Sequence, residues 1–103
     1  LAPIDATEKL LAQTKKTLDE IDLFEVNEAF AMVPLAYATH FKLPLSKINV
    51  HGGAVALGHP LGASGARIVT TLIYALKARN QRLGIAAICN GGGGASALMI
   101  EVI

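Results

Sequence analysis

The chain has 103 residues, with nine basic and eight acidic side chains, a formal net charge of +1 and no block of like charge. That balance gives no electrostatic sign of nucleic acid or of an anionic membrane surface as a partner. Hydrophobic residues make up 52% and charged ones 17%, more apolar content than one small domain hides by itself, so part of it is expected to face another domain or subunit. The length fits one domain, 1–103. Its longest uncharged runs, residues 48–66 and 83–100, are broken by glycines and, in the first, by a proline, so neither reads as a membrane span. No basic and then apolar segment opens the chain, so no signal peptide is expected, and Leu1 in place of Met suggests a fragment. One cysteine forbids an internal disulfide and fits a reducing compartment.

Pro3 and the Asp5-x-x-Glu8 spacing predict a helix start, with Asp5 as the cap and Glu8 reaching back to it. Ile4, Leu10, Leu11 and Leu18 recur at roughly helical spacing, and Lys15 and Lys16 suit a carboxyl end, so the first helix is predicted to about Lys16. Residues 21–26 predict a short strand. A helix over 28–41 is apolar nearly all round and expected to be largely buried, with a slight bend at Pro34. His40, near its end, is expected to interact with the last carbonyls. A turn at 43–46 and a short strand at 48–50 lead into a glycine-rich segment. Residues 61–78 predict a helix with Ile68, Val69, Leu72, Ile73 and Leu76 on one face and Arg67, Thr70, Thr71, Tyr74 and Lys77 on the other. Residues 83–89 read as a strand buried on both faces, 90–94 as a turn and 95–103 as the returning strand. The order α-β-α-β-α-β-β predicts an α/β fold, a mostly parallel sheet with an antiparallel C-terminal strand and packed helices.

Three polar groups stand where such folds place working residues. Asn27 ends the first strand, at the carboxyl edge where α/β sheets bind ligands, although it would also serve as a plain helix cap. Cys89 ends a later strand and precedes four glycines, whose amides could point at an anion; by itself, a buried cysteine at a strand end is more often an inert small hydrophobe than a reactive thiol. His59 lies in the segment 49–65, which carries five of the ten glycines and no charge. The pattern turns helical after Pro60, so His59 falls at a helix N-terminus, where a neutral imidazole is favoured and developing negative charge is stabilised. A tight crossover around a buried, satisfied histidine would use the same residues. The segment lacks the Gly-Lys-Ser/Thr ending of a phosphate loop and the glycine spacing of a dinucleotide fold, and one Cys with three scattered His makes no structural zinc site.

Asn27-Glu-Ala-Phe30, Gly58-His-Pro60 and Cys89-Asn-Gly91, in this order and at these intervals, resemble the three C-terminal signature motifs of the thiolases. The resemblance covers essentially the whole chain, and Cys89-Asn-Gly-Gly-Gly-Gly-Ala-Ser-Ala is similar to the acetoacetyl-CoA type. It implies the larger part of the second of two similar five-stranded α/β halves, with that half's first strand missing. The activity it implies is the condensation of two acetyl-CoA to acetoacetyl-CoA and CoA, or the reverse thiolysis. By the same resemblance Cys89 is the general acid/base, and His59 donates to the enolate oxygen and helps activate the nucleophile. Asn27 holds a water that donates a second hydrogen bond to that oxygen. The amide of Gly91 belongs to a second oxyanion hole, and Ala29 and Phe30 line the pantetheine channel. The carbonyl of Val55 matches one that contacts a potassium ion in some relatives. No permanently bound cofactor is implied, only coenzyme A thioesters as substrates.

The family's nucleophilic cysteine belongs to the first half, whereas this chain has Cys89 alone. It therefore reads as half an active site, inactive without an N-terminal thiolase half. The family further implies a tetramer made as a dimer of dimers and a place in fatty acid metabolism. The compartment would be cytoplasmic in a bacterium and mitochondrial in a eukaryote. Two alternatives are a thiolase-like dimerisation or binding module without catalysis, and a ketoacyl synthase, which would not show Cys-Asn-Gly at 89–91.

Overall fold

The structure is a computed structural model that describes residues 2–27, 32–50, 64–89 and 94–103, and of Met32, Ser64, Gly65, Ala66 and Cys89 the backbone alone. In chain order these residues form α1 (Ala2–Thr14), a 3-10 turn (Leu18–Glu20), β1 (Leu23–Val26), α2 (Met32–Phe41), a second 3-10 turn (Leu45–Lys47), α3 (Ser64–Ala78), β2 (Leu83–Cys89) and β3 (Ala95–Glu101). β1 pairs parallel to β2, from Leu23 opposite Gly84 to Val26 opposite Ala87. β2 pairs antiparallel to β3, from Leu83 opposite Glu101 to Cys89 opposite Ala95. On the other flank of β1, Ile48 makes a single parallel bridge to Phe24. The mixed α/β sheet expected from the element order is thus present, with β2 in its middle.

Side chains alternate across a pleated strand, so each strand supplies both faces of the sheet. On one face Phe24, Val26, Ile85 and Ala87 are buried against Ile4 of α1 and Val33, Tyr37 and Ala38 of α2. On the other, Leu23 and Ala86 pack against Ile68, Leu72, Ala75 and Leu76 of α3. α3 presents the stripe its periodicity predicts, with Ile68, Leu72 and Leu76 buried and Thr70, Tyr74 and Lys77 exposed. The burial of β2 on both faces is also as expected, from Gly84 through Ala87.

Several local expectations are corrected. The first helix already includes Ala2, which puts Asp5 inside its first turn and not at its cap. Glu8 does not reach back along α1; its carboxylate lies 3.3 Å from Nε2 of His40, tying α1 to the end of α2. That partner also replaces the carbonyl contact expected of His40. α2 is not buried all round: Val33, Tyr37 and Ala38 are covered while Leu35 and Thr39 are exposed, because the sheet meets only one side of the helix. The strand expected at 48–50 shrinks to the bridge at Ile48, since Asn49 turns to a left-handed φ of 47° and leaves the extended path. The helix start at 28–31, with the residue whose carbonyl Pro34 would free, and the helix start at 61–63 lie outside the described residues, as does the turn at 90–93.

A buried hydroxyl pair joins α1 to α2. Thr7 Oγ1 donates its one proton to the Pro3 carbonyl at 2.8 Å, so the Tyr37 hydroxyl, 2.7 Å away, is the donor in the second bond. The Tyr37 ring stands edge-on to Phe24 at 6.0 Å and to Phe41 at 4.9 Å. At the amino ends of the parallel strands, Asp22 Oδ2 accepts from the amides of Arg82 and Leu83, each at 3.0 Å, and fixes where β2 begins.

Candidate functional site

Because β1 and β2 run parallel and in register, their carboxyl ends emerge at the same edge of the sheet, and this edge carries Asn27 and Cys89. The amide of Asn27 donates to the Ala87 carbonyl at 2.8 Å, extending the ladder one step past Val26. Cys89 lies two residues further along β2 as its last residue. The two strand-end positions singled out from the sequence are therefore brought together on adjacent strands. His59, Gly91, Ala29, Phe30 and Val55 lie outside the described residues.

Asn27 is 1% exposed, yet among the described residues neither its Oδ1 nor its Nδ2 has a hydrogen-bond partner. A buried amide left unpaired costs about 1–3 kcal/mol, so such groups in a folded protein have a use. This one can donate to and accept from a small polar molecule such as water. Asn49, by contrast, bonds back to its own chain at Val26.

Asn49 is the residue that sequence reading missed. Its side-chain Oδ1 accepts from the Val26 amide at 2.7 Å, and its Nδ2 donates to the Val26 carbonyl at 3.0 Å. Its own amide donates to the Phe24 carbonyl at 2.9 Å. The signal for it was an asparagine, a residue that tolerates left-handed backbone, placed between a short β-prone stretch and a glycine-rich one. Among the described residues no group of three or more His, Cys, Asp and Glu could hold a metal ion. An open hollow of about 310 Å³, lined by Lys16, Glu20, Asp22, Arg82, Leu83 and Glu101, lies at the opposite, amino end of β1 and β2, away from Asn27 and Cys89.

The family described as "Thiolase, C-terminal domain" matches residues 1–102. The chain belongs to the thiolase family, as its C-terminal domain. It is 54% identical over 103 residues to an acetyl-CoA acetyltransferase IB of Candida tropicalis, covering 100% of this chain and 26% of the relative. It is 54% identical over 99 residues to an acetyl-CoA acetyltransferase of Synechocystis, covering 96% of this chain and 25% of the relative. Among solved structures it superposes on the Acat5 thiolase from Ascaris suum, crystallised in complex with coenzyme A. The TM-score is 0.92 and the identity 51%, over 100% of this chain and 26% of that one. The chain thus spans about a quarter of the length of the curated relatives it matches. Within a thiolase, the α/β half carrying Asn27 and Cys89 at one sheet edge is the one the three sequence motifs implied.

Proposed function

We propose that this domain serves an acetyl-CoA acetyltransferase, which joins two acetyl-CoA into acetoacetyl-CoA and CoA or runs the reverse thiolysis. The observation that carries the reading is Asn27, a buried amide without a partner among the described residues, beside the strand that ends in Cys89. The relatives named acetyl-CoA acetyltransferase support the substrate class.

In this reading a nucleophilic cysteine from an N-terminal half first takes the acetyl group from one acetyl-CoA, releasing the CoA thiolate. Cys89, as a thiolate, then removes an α-proton from a second acetyl-CoA. The charge moves to the thioester oxygen, where His59 and a water held by Asn27 donate hydrogen bonds. The α-carbon attacks the acyl-enzyme carbonyl; a carbon–carbon bond forms, the carbon–sulfur bond breaks, and the nucleophile leaves as thiolate. The proton on Cys89 then passes to solvent and balances the one that the CoA thiolate took up on leaving in the first step. Gly91 contributes its amide to the oxyanion hole of the acyl-enzyme, and Ala29 and Phe30 line the pantetheine channel. No step is assigned to a potassium ion at Val55. A homotetramer, a place in fatty acid metabolism and a cytoplasmic or mitochondrial setting complete the proposal.

The test is Cys89→Ala in the full-length enzyme. The variant should still be acetylated at the other cysteine, as intact-protein mass spectrometry reads. It should lose acetoacetyl-CoA formation by on the order of 10²–10⁴-fold, the effect of a missing general base. It should also stop exchanging the α-protons of acetyl-CoA with deuterated solvent. An acetyl group on Cys89 itself, or normal exchange in the variant, would overturn the assignment.

A further inference from the structure

We propose that Asn49 is the positioning residue for Asn27: its side-chain amide locks the peptide from which Asn27 projects. The inference rests on the role assigned to Asn27 above. In a parallel ladder successive residues address opposite neighbours. Asn27 turns its amide to β2, so Val26 turns its N–H and C=O to the other flank, where among the described residues the neighbouring segment pairs only at Ile48. The Asn49 side chain takes over there, accepting from the Val26 amide and donating to the Val26 carbonyl. A side-chain amide has the same donor and acceptor as a peptide, so Asn49 stands in for one residue of a missing strand.

The consequence falls on a single peptide unit. The Val26 carbonyl and the Asn27 amide belong to the same plane. Its oxygen is held by Asn49 Nδ2 at 3.0 Å and its N–H by the Ala87 carbonyl at 2.8 Å. The plane cannot rotate without breaking one bond or the other. The Asn27 side chain has no partner of its own among the described residues, so its aim is set by this backbone. Asn49 makes the clamp from a left-handed backbone, φ 47°, an arrangement that a plain continuation of the strand would not need. Its substitutes fail in distinguishable ways: glycine keeps the backbone without strain and loses the amide, whereas aspartate keeps the size but turns an oxygen toward the Val26 carbonyl.

The experiment compares Asn49→Gly, Asn49→Asp, Asn27→Ala and Asn49→Gly/Asn27→Ala in the full-length enzyme. Circular dichroism reports the fold, and acylation is measured separately from condensation. A small misplacement at a reacting centre costs on the order of 10²-fold. Asn49→Gly and Asn49→Asp should show a loss of that order in kcat for condensation, with KM for acetyl-CoA and acylation of the nucleophilic cysteine little changed. In the Asn27→Ala background Asn49→Gly should cost almost nothing further, because the two act as one unit. Losses that multiply, an Asn49→Gly variant as fast as the parent, or unfolding of both Asn49 variants would each overturn the positioning role while leaving Asn27 in place. An Asn27→Ala enzyme as fast as the parent would overturn the role of Asn27 and the proposal with it.

Discussion

Three buried polar side chains show how differently the fold treats a polar atom. Asn27 is left without partners among the described residues, Asn49 pairs with the amide and the carbonyl of Val26, and Tyr37 donates a hydrogen bond to Thr7. Burial pushes the Tyr37 phenol well above its usual pKa. With the folded value raised, the unfolded chain loses its proton first. The contribution is fully present below the ordinary phenol pKa of ~10 and is lost as pH rises beyond it. Tyr37→Phe keeps the ring contacts with Phe24 and Phe41 and removes the hydroxyl. It should cost about 1 kcal/mol at neutral pH, the worth of one ordinary hydrogen bond. That deficit, read by urea denaturation of parent and variant, should shrink as pH is raised above ~10. A deficit that holds constant or grows with pH would mean that the phenol is not protected by burial.

Among the elements, α3 and β2 meet closely at Gly84. A Cβ added at Gly84 would lie 2.8 Å from Cδ1 of Leu72 and 3.1 Å from its Cγ and Cδ2. Leu72 is fully buried, so it has no solvent to move into. Gly84→Ala must therefore shift the helix or force Leu72 off its rotamer, at a cost of about 1–3 kcal/mol. Leu72→Val in the Gly84→Ala background should return part of that loss, a coupling that chemical denaturation of the two single variants and the double variant would reveal. Simple additivity would mean that the sheet and helix meet elsewhere. α3 packs on both strands at Leu23 and Ala86, and the register of β1 and β2 brings Asn27 beside the end of β2.

For the whole molecule, the governing fact is that the apolar surface is not all inside. Leu35 is 55% exposed, Leu45 62%, Tyr74 68% and Leu98 47%. In relatives about four times longer, there is further chain to cover such surface. The 103-residue chain produced alone should self-associate and should show no thiolysis of acetoacetyl-CoA, having one cysteine where the proposed reaction needs two. Size-exclusion chromatography and a CoA-dependent cleavage assay check both points. A monomeric, active chain would refute the division of labour between two halves.

Three things could be read in the residues because each depends on neighbours in sequence. The amphipathic period of α3 and the uncharged run of β2 are local patterns, and three short motifs in order carry the family. The strand-end positions of Asn27 and Cys89 followed from the same patterns. Apart from the helix start at Asp5, the expectations for Glu8 and for the strand at 48–50 failed over interactions between distant segments. Glu8 was assigned to its own helix and pairs instead with His40, 32 residues on. The strand at 48–50 gives way to the side chain of Asn49, which reaches Val26 across 23 residues. Spacing along a chain states which groups a residue can meet within one turn or one pleat. Which carbonyl is left bare at a sheet edge, and which side chain arrives to cover it, is decided only when the layers pack, because a buried polar group takes whatever partner the assembled fold brings within reach.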